Sequence, residues 1–147
     1  MRQALGRAAE AEPLFVECLE MRQRLHKGDD PAVAAALSNL AFAQQALGKT
    51  AEARQGFDQA VAMLRRFSPD GSRLMARVLG CSGRARFENK DGGDAAAALP
   101  ELEEAVAMAE KYLPPEHQHL KEYRETLARC RAALAEQGKP DAKEGGR

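Results

Sequence analysis

The strongest constraint on this chain is that it repeats itself. GRAAEAEPLFVECLEMRQRL from Gly6 returns as GKTAEARQGFDQAVAMLRRF from Gly48, forty-two residues later, with Ala11 and Ala53, Phe15 and Phe57, Leu19 and Val61, and Met21 and Met63 in register. A third copy, GDAAAALPELEEAVAMAEKY from Gly93, sets Ala98, Leu102, Ala105, Val106 and Met108 at the same offsets but forty-five residues on, so three residues are inserted before it. Self-similarity at this period is the signature of a stacked helical array, in which each unit relies on its neighbours to bury its apolar face. Such arrays mostly bind other proteins rather than perform chemistry.

Local signals divide the chain into helices. Between Pro31 and Leu47, the residues Val33, Leu37, Leu40, Ala41 and Leu47 recur at the three- and four-residue spacing of one helical face. Asp30 supplies an N-cap, Pro31 a first helical residue with no N–H to waste, and Gly48 a stop. The next helix, 50–67, buries Ala53, Phe57, Ala60, Val61 and Leu64 and ends at the turn Ser68-Pro69-Asp70-Gly71. The same logic predicts helices over 8–26, 72–90, 94–113 and 116–136, an all-α fold of about six antiparallel helices in a right-handed α-solenoid. In the fifth, Pro100 demands either a later start near Leu99 or a kink. The repeat domain is expected over residues 1–137, and GKPDAKEGGR, 138–147, has no apolar pattern and is expected to be a disordered tail.

Composition narrows the partners. The 22 basic and 22 acidic residues cancel, which removes the basic footprint that nucleic acid or an anionic membrane would attract. No stretch approaches the roughly 18 apolar residues of a membrane span, and the start lacks the apolar run of a signal peptide, so a cytoplasmic location is expected. Cys18, Cys81 and Cys130 form no CxxC pair and are expected to be reduced thiols.

Around the Gly48 hinge, Leu37, Leu40 and Ala41 on one helix and Ala53, Phe57 and Ala60 on the next resemble the tetratricopeptide repeat signature. That family's usual period is about 34 residues. The longer period here is similar to the form found in kinesin light chains and in many bacterial scaffold proteins. HKGDDPAVAAALSNLAFAQQALGKTAEA and YLPPEHQHLKEYRETLA resemble that subtype's linker and its Asn-Leu-Ala helix, and the resemblance covers roughly residues 5 to 137. Two departures stand out. Ser82-Gly83 replaces the apolar Leu40-Ala41 of the first full repeat, and the insertion falls in RARFENKDGG, where it should lengthen a helix or bulge its hinge. The start, MRQALGRAAEA, reads as the last turn of a helix entering a hinge at Gly6, its partner missing. Leu14, Phe15 and Leu19 would then be uncovered on one side, which suggests a mispredicted start, a split gene or an end covered by another chain.

If Leu37, Leu40, Ala41 and Gln44 pack, the 100° helical step turns Ser38, Asn39, Phe42 and Gln45 away from them. The resemblance implies that this face lines a concave groove. The repeat offset adds Arg77, Cys81, Arg84 and Phe87 on the second inner helix and Thr126 and Arg129 on the third, forming the ladders Asn39, Cys81, Thr126 and Phe42, Arg84, Arg129. Asn39 resembles the asparagine that such grooves turn toward a peptide backbone, since its amide both donates and accepts. The arginines could pair a carboxylate, or simply Glu88, Glu122 and Glu125 on a solvated face. A groove this short would hold about four to eight extended residues at ~3.3 Å each.

Catalysis finds little support. His117 and His119 point to different sides of a helix, with no cysteine near in sequence, and read as linker residues rather than zinc ligands; His26 also falls in a linker. Cys18 occupies the slot of Ala60 and Ala105 and should pack as a small side chain. Cys81 faces the groove beside Arg77 and Arg84, which could lower its pKa, but no base is positioned to use it. Gly92-Gly93 lies at a helix hinge and makes no phosphate loop. The expected function is therefore a non-enzymatic protein- or peptide-binding scaffold without metal or cofactor. The competing readings are self-association, as a homodimer through the uncovered N-terminal helix, and the C-terminal remnant of a longer signalling protein.

Overall fold

Six helices follow one another in the computed structural model, which describes residues 2–28, 30–89 and 93–138. They are α1 (Arg2–Leu25), α2 (Pro31–Ala46), α3 (Thr50–Phe67), α4 (Arg73–Phe87), α5 (Ala95–Tyr112) and α6 (Gln118–Gly138). Side-chain caps fix three of the starts by satisfying N–H groups that the helix itself cannot. Asp30 Oδ1 accepts from the Ala32 N–H at 2.7 Å, Ser72 Oγ from Met75 at 3.1 Å and Asp94 Oδ1 from Ala97 at 2.9 Å. Gly48, with φ at 81°, ends the α2 turn in the left-handed region that glycine enters without penalty.

Several boundaries differ from expectation. α1 runs unbroken from Arg2 through Gly6, so Gly6 is not a hinge. Its flanking Ala and Arg residues are strong helix formers, and one interior glycine costs only about 1 kcal/mol. The Asp94 cap decides the start of α5, which begins at Ala95 and passes through Pro100 with one ladder bond lost. α6 begins two residues late, where His117 Nδ1 accepts from the His119 N–H at 3.2 Å. α4 stops at Phe87 rather than at the expected Lys90, which lies outside the described residues with Asp91 and Gly92. The inserted residues therefore enlarge the α4–α5 connection and leave the helix its ordinary length. The described ends of the connection meet closely: Asp94 N–H donates to Arg86 O at 2.9 Å, and a Cβ on Gly93 would lie 2.0 Å from Phe87 O. Of the expected tail, Gly138 closes α6, and 139–147 lie outside the described residues.

Consecutive helices pack in a row, and the inner helices also touch one another, α2 against α4 and α4 against α6. The outer helices stand farther apart, α3 and α5 meeting through the Arg65–Glu104 ion pair at 2.6 Å. The row therefore bends toward α2, α4 and α6, which face its concave side. Phe57, Leu64, Met75, Leu79, Leu102 and Leu120 fill the core between the layers. The polar departure at Ser82-Gly83 is a point of closest approach: both are buried, and a Cβ on Gly83 would lie 2.8 Å from Leu102 Cγ. Where the first repeat fills space with a side chain, the second removes one and brings α5 nearer.

Candidate functional site

The inner helices enclose an open cleft of about 320 Å³. Phe42 and Gln45 reach it from α2, Arg77, Cys81 and Arg84 from α4, and Tyr123 from α6. Phe42 is the exposed apolar element, with 54% of its surface in solvent. Asn39 stands beside this group, its Oδ1 accepting from Arg77 Nη2 at 2.9 Å, so amide and guanidinium are held together. Gln45 Nε2 lies 3.5 Å from Ala85 O, at the limit of a hydrogen bond.

Other expected groove residues stand elsewhere. Ser38 is buried; the same slot on α4 is Gly80, where a Cβ would lie 2.3 Å from the Tyr123 ring, so this slot faces the next inner helix. Thr126 is also buried, and its Oγ1 donates to Glu122 O at 2.8 Å, one turn back. The Asn39 ladder thus presents only Asn39 and Cys81. Arg129 stacks its guanidinium over the Phe87 ring, 5.4 Å from the centroid, and Nη1 lies 3.0 Å from Glu88 Oε1. Arg84 Nε approaches the other oxygen of Glu88 at 3.4 Å. One carboxylate therefore ties the two arginines, as the solvated-face alternative allowed.

Tyr123 has no counterpart in the sequence-based reading. Its slot is held by Ala36 and Val78 in the earlier repeats, both buried, so periodicity marks it as core. It reaches the cleft because Gly80 leaves room for its ring, which stacks on His119 with centroids 6.0 Å apart. An aromatic entering a small-residue slot, opposite a glycine, was the available signal. Burial pushes its phenol well above the ordinary value of 10.0, Cys81 adds to the shift, and Arg77 opposes it.

Cys81 also departs from expectation. Burial raises its thiol above 9.0, and the opposing pull of Arg77 and Arg84 does not overcome it. The thiolate that nucleophilic chemistry would need is disfavoured. At neutral pH the cleft offers guanidinium donors, a protonated phenol and thiol, and an apolar floor of Phe42, Phe57 and Tyr123.

The remaining singled-out residues are structural neighbours. His26 Nδ1 lies 3.2 Å from Asp30 Oδ2 at the start of α2. The ring centroids of His117 and His119 are 5.1 Å apart. Cys18 is only half-buried, unlike Ala60 and Ala105 in its slot, and its Sγ accepts from Arg22 Nε at 3.3 Å. On α1, Leu14 is exposed whereas Phe15 and Leu19 are partly covered. Among the described residues no three His, Cys, Asp or Glu side chains gather as a metal ion requires, and no helix is long and apolar enough to cross a membrane.

Residues 1–66 match the family model described as Tetratricopeptide repeat. The chain also superposes, with a TM-score of 0.66 and 26% identity, on the crystal structure of a Podosopora anserina protein assigned as a kinesin light chain, built of nearly identical TPR-like repeats. The match covers 91% of this chain and 62% of that one, so the chain spans under two thirds of the solved structure's length. No curated protein matches it. Residues 1–66 thus carry a tetratricopeptide repeat match, and the same solenoid continues through the last three helices, similar in fold to the kinesin light chain-like form.

Proposed function

We propose that the concave cleft binds an extended segment of a partner protein. Tetratricopeptide repeats are generally protein–protein interaction modules and typically non-enzymatic. The observation that carries the proposal is the convergence of an exposed Phe42 with Arg77 and Arg84 around one open cleft. Phe42 and the Tyr123 ring take an apolar side chain, the guanidiniums take backbone carbonyls or a carboxylate, and Asn39 fixes Arg77 in place. The raised pKa of Cys81 favours a packing role over a catalytic one. A cytoplasmic setting suits its free thiol.

Selection of displayed peptides against the native chain tests this reading. Binders should lose at least tenfold in affinity on Phe42→Glu and on Arg84→Glu, with helical content and melting unchanged. Binders indifferent to both substitutions would overturn it.

A further inference from the structure

On α1, Leu14, Met21 and Leu25 are 64%, 55% and 72% exposed. Their spacing places them within about 20° of one line along the helix, with half-buried Cys18 beside it. The repeat shows what such a face is shaped for. Leu14, Cys18 and Met21 hold the slots of Gly56, Ala60 and Met63 on α3. There Gly56 rests against Ala41 of α2, Ala60 is fully buried and Met63 packs on the core. Nothing among the described residues covers the α1 face in this way.

The far end of the row does not complement it. The slots filled by Ala34, Leu37 and Ala41 on α2, and by Ala76, Leu79 and Gly83 on α4, are all buried. On α6 they hold Lys121, Arg124 and Ala128, all exposed. Head-to-tail stacking of copies would bury two cations against leucine and methionine, at high cost. Pairing α1 with α1 carries no such cost. Glu17 and Arg24 lie on the same edge of the apolar stripe, both exposed, and neither makes an ion pair among the described residues. An antiparallel pair of α1 helices, with its two-fold axis midway between Cys18 and Met21, sets Leu14 opposite Leu25 of the second copy. It also brings each Glu17 within about 3 Å, along the axis, of Arg24 of the second copy. The stripe and the charges on its edge are thus both self-complementary, and an isologous contact closes at two copies.

We propose that the α1 face is a self-association surface on which two copies of this chain pair antiparallel, going beyond the groove and independent of it. Sedimentation equilibrium of the full chain from about 1 µM to about 1 mM tests the proposal. The mass should rise toward twice the monomer, and Leu14→Glu should abolish the rise. Glu17→Arg or Arg24→Glu, each replacing two attractions by two repulsions, should weaken the dimer about tenfold. The double exchange Glu17→Arg with Arg24→Glu should restore it, and Phe42→Glu in the cleft should leave it unchanged. A monomer throughout the range, or a dimer indifferent to the single charge exchanges, would overturn the proposal.

Discussion

The two complete helix pairs solve the same packing problem with the small residue on opposite sides. In α2–α3 the glycine is on the outer helix: Gly56 faces Ala41, a Cβ there would lie 3.1 Å from Ala41 Cβ, and Phe57 fills the space beside it. In α4–α5 it is on the inner helix, where Gly83 admits Leu102. The slot of Gly56 then passes to Glu101, whose Oε1 accepts from Arg86 Nε at 3.1 Å, while Arg86 also pairs with Asp58. A repeat slot therefore specifies a distance between two helices rather than a residue, and either helix can supply the missing volume.

Core truncation should separate the pairs most. Phe57→Ala should cost about 3 to 5 kcal/mol and Leu102→Ala about 2 to 5, measured by denaturant unfolding. An unchanged midpoint for Phe57→Ala would break the register on which the comparison rests. Next comes the glycine exchange. Gly83→Ala meets Leu102 at 2.8 and 2.9 Å and should destabilise by about 1 to 3 kcal/mol, less the gain in helix propensity. Gly56→Ala, with a lighter contact and the same gain, should fall within about 0.5 kcal/mol of native. Equal effects at the two sites would remove the asymmetry.

High pH probes the second pair and its contact with α6. Burial raises the folded-state pKa of Cys81, Cys130 and Tyr123 above 9.0, 9.0 and 10.0. The unfolded chain then releases these protons first, so stability is complete below about pH 9 and falls as pH rises beyond it. Tyr123→Phe should flatten the decline between pH 9 and 11 in denaturant midpoints; an identical slope would show that the phenol is not the source. The caps come last: Asp30→Ala and Ser72→Ala should each cost about 1 kcal/mol, sharpening the comparison if α4, already thinned by glycine, loses more helix than α2.

Most of the fold was legible because its cues are local. Asp30-Pro31, Gly48 and the Ser68–Gly71 turn mark helix ends through interactions spanning four residues or fewer, and the period revealed how the units stack. The cleft was legible only in part. Phe42, Arg77, Cys81 and Arg84 follow from helical geometry, but Ser38 and Thr126 were misplaced and Tyr123 was missed, because their exposure depends on the next inner helix. The arginine partners were also unresolved until Glu88 was placed between them.

By itself, then, the sequence determined the number of helices, most of their ends and their order, since capping, periodicity and repetition act along the chain. Only the tertiary structure decided where the insertion went, which side chains share the cleft and how Cys81 ionises. Those outcomes depend on distances between helices. These distances are set by which slots hold glycine, and so by how closely Tyr123 approaches α4 and Leu102 approaches Gly83.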